Sequence, residues 1–176
     1  MIGFLRFVGT LNAAIWLGAA LFYTVSVAPA MISGGMLALL GKNFPFYSES
    51  VSQIVRTHYF YWHTGCAVIA LLHLLVEWLY LGRVVHRPWF GLLAGLLALG
   101  LMGGFWLSPK LTELHRVHYL NPAPANREVA GKSFRLWYGV FKVVNVLMIG
   151  GVAVYFWRTT NSPDALRFVS PAKFRS

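Results

Sequence analysis

The sequence predicts an all-α fold, a four-helix bundle embedded in a membrane. Of its 176 residues, 57% are hydrophobic and only 11% are charged, whereas an average soluble domain is about a quarter charged. The mean hydropathy is +0.60, and four stretches are each long enough to supply the ~20 apolar residues of a transmembrane helix. These observations exclude an ordinary soluble domain, and the short chain leaves no room for a second domain of useful size.

The first two helices are predicted from charge-poor stretches. The first, at about residues 5–32, lies in a segment without charge between Arg6 and Lys42. Its apolar stretch exceeds the ~7–15 residues of a signal-peptide core, so we expect it to be retained as a helix. The second, at about residues 54–82, is bounded by Arg56 and Arg83.

The last two helices are predicted at about residues 88–108 and 133–158, the third of them ending before Pro109. Between them, apolar residues at helical spacing predict an amphipathic segment at the membrane interface. These residues are Leu111, Leu114 and Val117. Residues 1–158 are therefore predicted to form one membrane domain, followed by a polar, basic tail at 159–176.

Aromatic and basic residues indicate how the bundle meets the membrane. Trp137 and Trp157 are 20 positions apart, about 30 Å along a helix, which fits aromatic belts at both headgroup levels. The net charge is +10 and most Lys and Arg residues flank apolar segments, so anionic lipid headgroups, and not nucleic acid, are the predicted partner. Lys and Arg are equally numerous on the two sides, and the short turn with Arg83 and Arg87 favours termini in the cytoplasm of a bacterial-type inner membrane.

Polar residues of the predicted helices follow helical spacing. In the second helix, six residues follow one another at intervals of 4, 3, 4, 3 and 4 positions, which places them on one face of the helix. They are Tyr59, His63, Cys66, Ala70, His73 and Glu77. Polar groups facing lipid are costly, so we expect such faces to point inward. Since neighbouring helices run in opposite directions, two buried polar layers follow. One contains Tyr59, His63, Tyr138, Lys142 and Asn145; the other contains Arg6, Asn12, His73 and Glu77.

These layers have two interpretations. In the first, hydrogen bonds between buried side chains fix the register of the helices, and an Arg6–Glu77 ion pair avoids burying a lone carboxylate. In the second, ionisable groups inside the membrane mark a path for a proton, an ion or a substrate. No HExxH, GxSxG, P-loop or dinucleotide-binding motif accompanies them, so the chain is predicted not to be an enzyme.

Histidines raise a further possibility, ligation of haem b, chlorophyll or a metal ion. A haem with two axial histidines needs them at one depth on facing helices, which leaves His58 or His63 paired with His115 or His118. His115 and His118 are three positions apart and are also candidates to bind a metal together with His58. The alternative is that these histidines lie at headgroup level without a ligand, and no cofactor is predicted as required.

The third helix is rich in glycine. Gly91 and Gly95 form a small-xxx-small pair, and Gly100, Gly103 and Gly104 follow. Such spacing allows helices to approach closely in membranes.

Short motifs connect the chain to a known family. The segment Trp16-Leu17-Gly18, followed by Phe22 and Ala28-Pro29, resembles the first helix of the transmembrane-protein-205-like family. Ser108-Pro109 with Leu111 and Leu114 resembles the end of that family's third helix, and Phe134, Gly139 and Asn145 match its F…HG…N pattern, with Tyr138 in place of the histidine. The resemblance implies a four-helix bundle, more distantly similar to copper-resistance D membrane domains, with a link to metal or drug tolerance.

Three functions are compatible with the sequence. The first is a non-enzymatic accessory or structural subunit that packs against other subunits of a larger membrane complex. The second is metal or ion handling, or transport, through the buried polar layers. The third is a redox or pigment module in which histidines ligate haem or chlorophyll.

Overall fold

The computed structural model describes residues 2–81 and 87–161, and the regular elements among them are all helical. Helix α1 runs through Ile2–Phe22, the π-helical segment Tyr23–Val27 and Ala28–Met31. A short helix α2 at Gly34–Leu40 is capped by Ser33, whose hydroxyl accepts the Met36 N–H. The 3₁₀ turn Gly41–Asn43 then leads into the long helix α3 at Phe44–Leu81.

The second half of the chain contains two long helices. Helix α4 runs through Arg87–Met102, the π-helical segment Gly103–Leu107 and Ser108–Leu120. Helix α5 occupies Pro124–Thr160. The four long helices form a ring in which α1 and α4 each pack against both α3 and α5.

Two prolines lie inside helices and are accommodated in the same way. Pro29 and Pro109 each follow a π-helical segment, Tyr23–Val27 and Gly103–Leu107. Proline lacks an N–H group and its ring collides with the carbonyl four residues earlier, and widening the preceding turn is one way in which a helix absorbs it. The third helix therefore continues past Pro109 to Leu120, beyond the predicted end of its membrane span at residue 108.

The helices α3 and α5 also extend beyond the predicted spans, beginning at Phe44 and Pro124. With 38 and 37 residues, each is about 55 Å long, well above the ~30 Å hydrocarbon thickness of a bilayer. Their extra turns pack with the end of α4. The predicted amphipathic segment is the last part of α4, and its buried residues Leu111 and His115 lie on the face packed against the protein.

The all-α prediction is confirmed for the described residues. Four helices are long and apolar enough to cross a membrane, and large apolar side chains such as Phe105 and Trp157 are exposed on their outer faces. The buried core lies between the helices and includes Trp16, Phe60 and Met148. The short turn with Arg83, and the tail from residue 162 onward, lie outside the described residues.

Candidate functional site

His63 lies at the centre of the bundle and joins three helices. The Trp16 indole Nε1–H of α1 donates to His63 Nδ1 at 2.8 Å, and His63 Nε2 lies 3.2 Å from the Leu96 carbonyl oxygen of α4. Because Nδ1 accepts and a carbonyl can only accept, the imidazole is neutral with its proton on Nε2. Both ring nitrogens are used, so His63 holds helices together and offers no free nitrogen to a ligand.

A second chain of hydrogen bonds joins α3, α5 and α1 on the side of His63 that faces the start of α3. The Tyr59 hydroxyl donates to Asn145 Oδ1 at 2.7 Å, and Asn145 Nδ2 donates to Thr24 Oγ1 at 2.8 Å. The Thr24 hydroxyl in turn donates to the Ala20 carbonyl oxygen. The ring of Tyr23 stacks on Tyr59 with centroids 4.3 Å apart. Each donor finds an acceptor, which is the pattern expected of polar groups that fix helix register.

We expect Tyr59→Phe to lower the free energy of unfolding by about 0.5–2 kcal/mol, because Asn145 Oδ1 loses its donor inside the bundle. Unfolding in mixed detergent micelles, followed by circular dichroism, measures the change. Tyr61→Phe is the matched control, since Tyr61 is 52% exposed. Equal losses in the two variants would contradict the assignment.

The most unusual polar group is Arg56, which is 1% exposed. Its Nη2 donates to Glu49 Oε1 at 2.9 Å, and its Cζ lies 4.8 Å from the Phe141 ring centroid and 5.3 Å from that of Tyr138. Its Nε and Nη1 have no hydrogen-bond partner among the described residues. A buried guanidinium is thus held by one carboxylate and two aromatic faces, and two of its nitrogen atoms remain available as donors.

A small cavity of about 10 Å³ adjoins Arg56 near the end of α1, room for about one water-sized group. Its lining includes Tyr23, Tyr138 and the carboxylate-bearing Glu49. In the sequence, Arg56 marks only the charged boundary of the second predicted helix. The seven-residue spacing from Glu49, two helical turns, is the signal that could have revealed the pair, but Glu49 lies outside the span predicted from residue 54.

The opposite end of the bundle brings together part of the second predicted layer. Arg6, His73 and Glu77 line a crevice of about 60 Å³ together with Tyr155 and Arg158. His73 Nε2–H donates to the Leu5 carbonyl oxygen at 2.7 Å.

Two features of this layer differ from the prediction. Asn12 lies deeper, where its Nδ2 donates to the Cys66 carbonyl oxygen. The Arg6–Glu77 ion pair is not formed, since the carboxylates paired within 4.0 Å in the described part of the chain are Glu49, Glu113 and Glu128. Arg6 and Glu77 are both partly exposed, so neither needs a partner to offset full desolvation.

The prediction that Lys142 points into the bundle is wrong. Lys142 is exposed, and its Nζ lies 5.0 Å from the Tyr138 ring centroid. The buried face of α5 passes through Phe141, Asn145 and Met148, so Lys142 is turned about 100° from it. The long side chain reaches back along the helix, the usual way in which lysine keeps its ammonium group out of hydrocarbon.

Residues 11–120 match the model of a protein family described as a domain of unknown function (DUF4149). The match covers more than half of the chain. The chain belongs to the DUF4149 family. No curated protein and no solved structure matches it. The DUF4149 match ends at Leu120, the last residue of α4. Glu49, Arg56 and His63 therefore lie inside the DUF4149 region, whereas the aromatic partners of Arg56 come from α5 beyond it.

The histidines that were candidate ligands have separate surroundings in this DUF4149 protein. His58 Nδ1 lies 2.9 Å from the Ile54 carbonyl oxygen, and His118 Nδ1 lies 2.8 Å from that of Arg127. His115 stacks on Phe46. Over the described ranges, no group of three or more His, Cys, Asp or Glu side chains is placed to hold a metal ion, so the structure does not assemble the predicted cluster of His58, His115 and His118.

Proposed function

We propose that the protein is a non-enzymatic accessory subunit of a larger membrane complex, and that α4 presents the face on which a partner helix packs. The observation that carries this proposal is a run of small residues, Gly91, Gly95 and Ala98, on the exposed side of α4. With Leu147 and Gly151 of α5 they line a groove of about 420 Å³. In membranes, such faces let a second helix approach closely.

The glycines of α4 fall into two groups with different surroundings. A Cβ atom on Gly100 or Gly103 would collide with side chains of α3, so these two serve packing inside the bundle. A Cβ atom on Gly91 or Gly95 would meet no atom within 4 Å. Among the described residues, the second pair therefore makes no contact that requires glycine, and a transmembrane helix of another subunit is the occupant that we propose.

The buried polar groups support a role without catalysis. Four of these groups, on Trp16, His63, Tyr59 and Asn145, bond to one another, to the Thr24 hydroxyl or to a backbone carbonyl. These bonds explain their presence by the register of the helices. The proposed location is a bacterial-type inner membrane with both termini in the cytoplasm and anionic lipid around the basic ends. The resemblance to the transmembrane-protein-205-like family of small four-helix proteins agrees with this proposal.

Transport through the bundle has less support. The polar crevice at one end and Arg56 at the other are separated by closely packed side chains, including Ala13, Trp16, Ala67 and Val152, each at most 1% exposed. A proton or an ion would have to cross this layer. Haem ligation by His63 would first require the loss of at least one of its two hydrogen bonds.

The test is the double variant Gly91→Leu/Gly95→Leu. Two large side chains would fill the groove from positions whose Cβ atoms meet nothing within 4 Å among the described residues, so we expect the folded protein to lose the subunits that accompany wild type. Extraction of the membrane into native-lipid nanodiscs, followed by purification and mass spectrometry, measures this loss.

Gly18→Leu/Gly139→Leu is the matched control, since both glycines are exposed and would bring their Cβ atoms within 4 Å of nothing. We expect this control to keep its partners. Wild-type protein that purifies as a solitary monomer, or partners retained equally by both double variants, would contradict the proposal.

A further inference from the structure

A second groove lies on the opposite side of the bundle, between α1 and α3. It has a volume of about 740 Å³ and an almost entirely apolar lining. Along α3 it extends from Val55 to Ile69, about 21 Å, which exceeds half of the ~30 Å hydrocarbon core. It is therefore long enough to hold one acyl chain of one leaflet.

This groove adjoins the small cavity beside the buried arginine. Tyr23 and Val55 line both the groove and the small cavity beside Arg56. Arg56 is buried, yet among the described residues its Nε and Nη1 donors have no hydrogen-bond partner of normal geometry, because Glu49 engages only Nη2. The groove and the cavity beside these donors thus share two lining residues, and a buried donor without an acceptor is destabilising.

We propose that the α1–α3 groove binds an anionic phospholipid, with one acyl chain in the groove and a phosphate oxygen accepting hydrogen bonds from Arg56. A guanidinium group suits phosphate because its donors are planar and permanently charged. The cavity admits about one oxygen-sized group, so the rest of the headgroup lies at its mouth. Exposed Trp62, which also lines the groove, lies six residues beyond Arg56 on α3, about 9 Å along the helix, where its ring would flank the acyl chain.

The chemistry selects among possible occupants. A neutral diacylglycerol fills the groove but offers Arg56 only uncharged acceptors, whereas free phosphate pairs with Arg56 but leaves the apolar groove empty. Of these three, the phospholipid alone combines an acyl chain with an anionic acceptor. The site lies away from the α4 groove, so it does not depend on the proposed subunit contact.

The experiment uses the full chain, reconstituted with phosphatidylglycerol, with diacylglycerol of the same acyl chains, or with inorganic phosphate alone. Native mass spectrometry after detergent washing counts the bound molecules. We expect wild type to retain one phosphatidylglycerol, and to retain diacylglycerol roughly tenfold less well or worse, since hydrogen bonds to a charged group are lost.

Two variants test the two halves of the site. Gly65→Leu places a side chain in the groove, since the Cβ atom of Gly65 would meet nothing within 4 Å, and Glu49→Gln/Arg56→Gln removes the charges together. Both are expected to lose phosphatidylglycerol by a similar factor, whereas Gly139→Leu on the outer face of α5 keeps it. Gly65→Leu decides the question alone if the double variant does not fold.

Equal lipid retention by wild type and Gly65→Leu would mean that the lipid is only part of the general annulus, and would overturn the proposal. Equal retention of phosphatidylglycerol and diacylglycerol by wild type would overturn the role of Arg56. Binding of inorganic phosphate alone that Gly65→Leu leaves unchanged would assign the site to a free anion and overturn the lipid assignment.

Discussion

Glu49→Gln is expected to lower the free energy of unfolding by about 3 kcal/mol, because it leaves the Arg56 guanidinium buried without a carboxylate. Arg56 is 1% exposed and the Glu49 side chain is 18% exposed, so the pair is shielded from water on most sides. The value is at the lower end for broken buried ion pairs, since the aromatic rings at 4.8 and 5.3 Å continue to stabilise the cation. Reversible unfolding in mixed micelles measures the loss.

Two further variants separate the buried charge from other effects. Glu49→Gln/Arg56→Met removes both charges and is expected to be more stable than Glu49→Gln alone, because no unpaired cation remains. Glu113→Gln breaks the ion pair with Arg116. Because the Glu113 side chain is 54% exposed and that of Arg116 is 68% exposed, this substitution should change stability little. If Glu49→Gln were no more harmful than Glu113→Gln, Arg56 would have to be solvated.

The membrane bundle was accessible from sequence because it depends on properties summed over many residues. A span is recognised from the average hydropathy of about twenty residues, so one polar residue does not hide it. The spans are therefore recognisable although the helices extend beyond the predicted ends. The 4-3 spacing in α3 likewise combines several residues, and four of those that it places on the inner face are buried. These are Tyr59, His63, Cys66 and Ala70. The residues of that stripe nearer the end of the helix, His73 and Glu77, are only partly buried.

The details depend on single contacts that spacing does not contain. Tyr138, Lys142 and Asn145 share a spacing with the α3 stripe, yet the buried face of α5 is displaced by about one residue and turns Lys142 outward. In the sequence, Arg56 is only the charged residue that bounds the second apolar stretch. Its sequence neighbours do not indicate that α5 supplies the aromatic rings around it. Pro109 is a helix terminator by propensity, and only the π-helical segment before it shows how the helix continues.

Gly103→Ala is the substitution for which we expect the largest steric effect. Its Cβ atom would lie 2.0 Å from Cε1 and 2.3 Å from Cδ1 of Phe60, where no carbon atom fits. Phe60 is 0% exposed and packs edge-on against Phe141, so its ring has no free space into which to turn. We expect α3 and α4 to separate locally and the free energy of unfolding to fall by about 3 kcal/mol, the upper end for overpacked cores.

Gly95→Ala is the matched control, because it makes the same change on the same helix at a position where the new Cβ atom meets nothing within 4 Å. There, alanine should be neutral or stabilise the helix by about 0.5–1 kcal/mol. Adding Phe60→Leu to Gly103→Ala should recover part of the loss, because a smaller side chain makes room for the methyl group. Recovery would tie the defect to this one contact, whereas equal stability of Gly103→Ala and Gly95→Ala would mean that α3 and α4 are not in contact at Gly103, and the close helix approach expected from the glycine-rich sequence would have to lie elsewhere.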